Sequence, residues 1–319
     1  MLILAAARQG QGPSRGSTLA FVEPQLVVPT RNQHTVSRVV LRRFALHGSM
    51  RVFDRKAGRF YSMGPSAVFR SYFDQVDPMG AEDRWQEVER KVNAAYGFLG
   101  RQGAPNTEAT DTFRDLLALH WARSSAMRRA HEQIGEQLVA QQIDERSRQP
   151  GFLSTLFRQQ TGLVPVGREA LDWVNVDVHR RILKEIDQPL FSAQVAKYFE
   201  FARARLAGWQ LEVGYVEPGA DLMIGDAPVI TMRPGHPGVG PHQDVALLDA
   251  TSIHMPISPT IVIGLAAAPA QVSINAQAAR VLNDQQRRGF VRWIGWRPGG
   301  PSDRDMEAAP PSSRLAGSA

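Results

Sequence analysis

Apolar positions recur at helical steps as soon as the opening thirty residues are passed. Val36, Val39, Val40 and Phe44 lie three or four residues apart and predict a helix that starts near Thr35. "GSMRVFDRKAGRFYSMG" then alternates like two short strands around a Lys-Ala-Gly turn. From about Glu82 to Gly100, a stripe of Trp85, Val88, Val92, Ala95 and Leu99 predicts a second helix, with Gly100 and Gly103 as its stop signals. Thr107 is placed to cap a third. Glu108 and Asp111 suit its positive end, and the stripe that begins at Phe113, Leu116 and Leu117 is expected to run on towards residue 145. Further helices are expected at about 168–186 and 190–207, the latter closed by Gly208. Beyond Gly208 the period changes. "WQLEVGYVE", "DLMIGDAPVITM", "TSIHMPISPTIVIGLAA" and "FVRWIGWR" are short runs rich in β-branched and aromatic residues, interrupted by one helix at about 271–289.

This order predicts an α+β architecture: an N-terminal helix and hairpin, a helical middle block, and a mainly antiparallel C-terminal sheet. No strand runs through a glycine-rich turn into a helix, so a dinucleotide-binding reading is excluded. Residues 1–30 and 297–319 mix Gly, Pro, Ser and charged residues without period, and are expected to be a flexible extension and a disordered tail around a single domain at 31–296.

Composition narrows the chemistry. The 319 residues are 43% hydrophobic, enough for a real core, and contain no cysteine, which rules out disulfides, thiolate metal sites and a cysteine nucleophile. The opening "MLILAAARQG" is too short in its apolar run for a signal segment, and no stretch reaches the length of a membrane span, so a cytoplasmic protein without a membrane role is expected. A net charge of +6 invites an anionic partner, either nucleic acid or a small molecule. Only four of the 37 basic residues are lysine, so arginine-favouring composition explains part of that signal. The surplus is local: residues 1–60 carry ten basic side chains against Glu23 and Asp54.

Six short motifs, in order, resemble one family. "NQHTVSRVVLRRF" is similar to the His-x-x-x-x-x-x-Leu-Arg-x-Phe opening of the bacterial domain-of-unknown-function family 4238, and "MRVFDRKAGR" to the strand that follows. "WQEVERKVNAAYGFL" resembles its glutamate-bearing helix and "LLALHWARSSAMRR" its aromatic-Ala-Arg helix. "LMIGDAPVI" resembles its Asp-x-Pro-Val turn, and "IHMPISPTIVI" its Pro-x-Ser-Pro strand. The resemblance covers about residues 31–290. Two departures stand out: Thr35-Val36-Ser37 replaces the usual aromatic-Val-Pro start after His34, and Ala227 replaces an asparagine between Asp226 and Pro228. The family brings no established reaction with it.

The residues that could carry chemistry follow from placement. His120 lies seven residues after Phe113 and Arg123 seven after Leu116, so both continue an interior stripe. A buried guanidinium needs a partner, and Glu89, on the shoulder of the preceding helix, is placed to supply it. Asp226 sits in "IGDAPV", where a carboxylate either closes a turn or acts as a base or metal ligand. Arg38 and Arg42 share a helix face that either stays solvated or holds phosphates. Two functions compete. One is a hydrolase of a phosphodiester or other anionic substrate, with His34, Glu89, His120 and Asp226 as acid–base groups and Arg38, Arg42 and Arg123 binding the anion. The other is a non-catalytic module that binds nucleic acid or a small anion through residues 31–59, in a defence or stress role. A divalent metal would need His34, Glu89, His120 and Asp226 to converge.

Overall fold

The computed structural model describes residues 32–72, 81–99, 107–149, 151–168, 172, 176, 189–235, 242–267 and 272–308. The chain enters through β1 (Asn32–His34) and α1 (Arg38–Phe44), then forms a hairpin of β2 (Met50–Asp54) and β3 (Arg59–Met63), and returns beside β1 as β4 (Arg70–Tyr72). The helical block follows: α2 (Ala81–Leu99), α3 (Thr107–Ala122), α4 (Ser125–Ser147), α5 (Phe152–Thr161) and α6 (Pro189–Leu206). The β-rich part holds β5 (Gln210–Val216), β6 (Ile224–Gly225), β7 (Ile230–Arg233), β8 (His242–Gln243), β9 (Ser252–Ser258), β10 (Ile261–Ala266) and β11 (Val272–Ile274). It closes with α7 (Ala276–Gly289), β12 (Trp293–Trp296) and α8 (Pro301–Ala308).

The fold is α+β, with a six-stranded sheet ordered β11-β5-β10-β9-β7-β8 and a four-stranded sheet ordered β3-β2-β12-β6. All pairings in both sheets are antiparallel except β11 on β5. The largest core lies between the helices and one face of the six-stranded sheet. There Phe113, Leu116 and Leu119 of α3 meet Val40, Leu41 and Phe44 of α1, Val92 of α2, and Ile253, Met255 and Ile263 of the sheet. Burial of such side chains stabilises by about 1.5–3 kcal/mol each, so this layer anchors everything placed on it.

Four expectations change in detail. The stripe from Phe113 does not continue as one helix to 145, because Ser124 interrupts it. Its hydroxyl donates to the Trp121 carbonyl at 3.0 Å and accepts the Met127 N–H at 3.1 Å, ending α3 and capping α4. The helix expected from near Thr35 starts at Arg38, and His34 ends β1, opposite Arg70 of β4. The stretch 297–308 is ordered, not a tail: Met306 of α8 is buried with Phe53, Phe290 and Trp296. The helix expected from 271 starts at 276, after β11, with Asn275 accepting the Ala278 N–H at 2.9 Å as its cap. The helix expected at 168–186 lies largely outside the described residues.

One feature of α7 fixes the turn that bears Asp226. The segment 221–228 lies along α7, and two side-chain amides take the place of a neighbouring strand. Asn283 accepts the Met223 N–H and donates to the Asp221 carbonyl, each at 2.8 Å. Gln286 accepts the Gly225 N–H at 2.7 Å and donates to the Pro228 carbonyl at 2.8 Å. Four buried backbone groups are satisfied by two side chains, so the turn cannot slide.

Candidate functional site

The approach of α1 to the junction of α3 and α4 brings together three of the residues singled out above, around a residue that was not. Ser37, fully buried just before α1, donates its hydroxyl to Glu89 Oε1 at 2.7 Å and accepts from Arg123 Nη2 at 2.7 Å. Arg123 also pairs directly with Glu89 at 2.8 Å, as the interior spacing predicts. The Ser37 N–H donates to His120 Nε2 at 2.9 Å, and the other ring nitrogen of His120 donates to the Leu116 carbonyl at 2.8 Å. Both imidazole nitrogens are therefore committed. Burial, followed by the Arg123 charge, pushes His120 down to about 3, so the ring is neutral. Burial alone would raise Glu89, but the Arg123 charge and the hydrogen bonds from Ser37 and Arg123 outweigh it and hold the carboxyl below its usual range.

Asp226 is equally committed. Its carboxylate accepts the N–H groups of Val291 at 2.7 Å, Arg292 at 2.9 Å and Trp293 at 3.2 Å, clipping the turn to the entry of β12. Burial pushes its pKa up against the pull of those three amides. Its carbonyl accepts the Ser125 N–H at 3.1 Å, tying the turn to the start of α4.

These contacts frame a cavity of about 370 Å³ at the N-terminal end of α4. Arg70 comes from β4, Arg128 and Arg129 from the first turn of α4, and Arg292 from the entry to β12. Thr35, Ser125, Glu132, Asp226 and Trp293 complete its polar wall. Two of the arginines are partly neutralised: Arg128 pairs with Glu132 at 2.7 Å, and Arg292 pairs with Asp54 at 3.0 Å while lying 4.6 Å from the centre of the Trp293 ring. Arg129 Nη2 and Trp293 Nε1 are buried donors with no hydrogen-bond partner among the described residues. Buried donors are rarely left so, and an oxyanion is the chemical complement of two such N–H groups. The helix N-terminus adds the same sign of potential.

Beside the cavity, a ring nitrogen of His34 bonds the Ser66 backbone, while Nε2 is buried without a partner among the described residues. Burial and then the charges of Arg70 and Arg38 lower its pKa, so this imidazole is also neutral. Arg38 and Arg42 are exposed on α1 and do not line the cavity. Among the described residues no group of three or more His, Asp or Glu side chains is placed to hold a metal, so His34, Glu89, His120 and Asp226 do not meet the convergence that a shared metal would need. The residues missed by sequence reasoning are Arg70, Arg128, Arg129, Arg292 and Trp293. Only Arg128 and Arg129 had a local signal, standing one turn after a capping serine.

The sequence model of the family described as "Protein of unknown function (DUF4238)" matches residues 32–281. The chain belongs to that family. No curated protein and no solved structure matches it. No described helix is long and apolar enough to cross a membrane.

Proposed function

We propose that this protein binds a small, multiply charged oxyanion, such as a phosphorylated metabolite, in the arginine-lined cavity at the start of α4. The observation that carries this reading is the pair of buried donors without partners, Arg129 Nη2 and Trp293 Nε1, on residues that line one cavity. Four arginines against two carboxylates leave the wall net positive, and the volume falls within the roughly 300–1,000 Å³ usual for small-molecule sites. Titration calorimetry with inorganic phosphate and pyrophosphate tests it. Saturable binding that weakens at least about tenfold in Arg129→Ala and in Trp293→Phe is expected, since a charge-assisted hydrogen bond is worth about 1.5–3 kcal/mol. Equal affinity in native and variant proteins would sink it.

Hydrolysis of a phosphodiester or similar ester is a second reading, and His34 favours it. A neutral imidazole opposite Arg70, with a buried nitrogen that has no partner among the described residues, is an acid–base group still able to take up a proton, whereas both ring nitrogens of His120 and both oxygens of Asp226 are engaged in internal bonds. His34 would then activate water while the arginines take up the negative charge that develops. Turnover of bis(p-nitrophenyl) phosphate by the native protein, abolished in His34→Gln with anion binding retained, is the result this reading requires.

A further inference from the structure

A smaller cavity, of about 170 Å³, lies where residues 219–221 meet α7 and α8, and its wall carries charges of both signs. Asp221 and Asp305 bring carboxylates, while Arg280 of α7 and Arg304 of α8 bring guanidinium groups. Asp221 is only 6% exposed. Its Oδ1 accepts the Ser302 N–H at 2.8 Å and the Ser302 hydroxyl at 2.5 Å, which fixes the carboxylate at the start of α8. Its Oδ2 is a buried acceptor with no hydrogen-bond partner among the described residues. Burial pushes the pKa of Asp221 up, the two bonds from Ser302 pull it back, and the charges of Asp305 and Asp303 push it up again. The charges that act on this carboxylate are therefore negative, and a buried carboxylate without a cation is costly. Arg280, Arg304 and Asp305 are exposed and, among the described residues, make no ion pair.

We propose that this cavity binds a small zwitterion, a free amino acid of about the size of alanine, with its ammonium group received by Asp221 and Asp305 and its carboxylate by Arg280 and Arg304. Asp221 Oδ2 lacks a donor, and an ammonium group supplies one together with the missing positive charge. The two guanidinium groups offer the planar N–H pairs that a carboxylate accepts. A ligand with only one of the two charges leaves half of the charged wall unmatched. Size sets the other limit. A cavity of about 150 Å³ holds benzene, so about six heavy atoms fit in this one, which is the size of alanine. A metal ion is not favoured, because among the described residues no three His, Asp or Glu side chains are placed to hold one. The arginine cavity takes no part in this argument, so the two sites stand or fall separately.

Titration calorimetry of the full chain with glycine, L-alanine and β-alanine tests the proposal, with ethylamine and propionate as alanine stripped of one charge or the other. Saturable binding of at least one amino acid is expected, at least about tenfold tighter than ethylamine or propionate, a difference of about 1.4 kcal/mol. L-tryptophan should not bind, being too large for the cavity. Arg280→Ala with Arg304→Ala should weaken the amino acid at least about tenfold while leaving thermal unfolding unchanged, since both side chains are exposed and unpaired. Asp221→Asn should abolish binding. Because Asp221 also holds the start of α8, Asp305→Asn at an exposed position serves as a second variant, and it should weaken the amino acid without loss of stability. Propionate bound as tightly as the amino acids, indifference to the double arginine variant, displacement of the amino acid by calcium or magnesium ions, or no saturable binding of any of the three would each overturn it.

Discussion

The backbone N–H of Ser37 donates to Nε2 of His120 across 83 residues of chain, 2.9 Å apart and fully buried. That bond locks the start of α1 to the last turn of α3. It makes His120 a fastener rather than a general base. His120→Ala leaves the Ser37 N–H and hydroxyl region beside a void, and should cost about 2–4 kcal/mol in urea unfolding. Anion binding by the fraction that remains folded should be little changed. A variant as stable as the native protein, but inactive in any turnover assay, would return His120 to a catalytic role.

Asp226 should behave in the same way for a different reason. Asp226→Asn keeps its shape but replaces one acceptor oxygen by a donor, turned towards backbone N–H groups that need acceptors. A loss of about 2–3 kcal/mol is expected, read from the urea midpoint. The loosened entry to β12 should carry Arg292 and Trp293 with it, so anion affinity should fall too.

Acid should weaken the fold in a definite direction. His120 is pushed down to about 3 and His254 to about 4, burial being the main cause for each, against an unfolded value of 6.5. Below about pH 6.5 the unfolded chain takes up protons that the folded chain refuses, so stability is full above that pH and falls as pH drops. Each histidine contributes up to about 1.4 kcal/mol per pH unit. His34, lowered as well, acts in the same sense, and Glu89 adds its loss at lower pH still, as its carboxyl is protonated. Asp226, raised by burial, has the opposite sign and softens the loss, since protonation favours its folded form. Urea midpoints at about pH 7.5 and about pH 5 measure the balance, and His120→Phe should flatten the difference. Equal midpoints in the native protein would refute it.

The exposed arginines of α1 separate a small anion from nucleic acid. Arg38→Ala with Arg42→Ala should leave stability within about 0.5 kcal/mol and pyrophosphate affinity within about twofold, because neither residue lines the cavity. Loss of salt-dependent binding to single-stranded DNA or RNA in this variant would instead place the ligand surface on α1.

Much of this fold could be read from side-chain periodicity. The stripes at Trp85–Leu99 and Phe113–Leu117 became α2 and α3 because each buries one continuous face. The same spacing identified His120 and Arg123 as interior and Glu89 as the partner of Arg123. Ser37 was invisible as the centre of that network, since a serine before a helix reads as an ordinary cap. Instead its side chain caps nothing in α1 and turns inward to Glu89 and Arg123. The cavity was illegible for a related reason. Arg70, Arg129 and Trp293 come from segments separated by more than fifty residues, and only tertiary packing makes them neighbours.

The two amide rungs from Asn283 and Gln286 bear on where this protein can be cut. The family match ends at residue 281, yet both rungs lie beyond it, as does β12, which runs between β2 and β6 as an inner strand of its sheet. A chain trimmed at the matched boundary would expose two strand edges and release the turn at Asp226. The unit able to stand alone therefore reaches at least to α8, and expression fragments designed on the family limits should aggregate, whereas those ending after Ala308 should not.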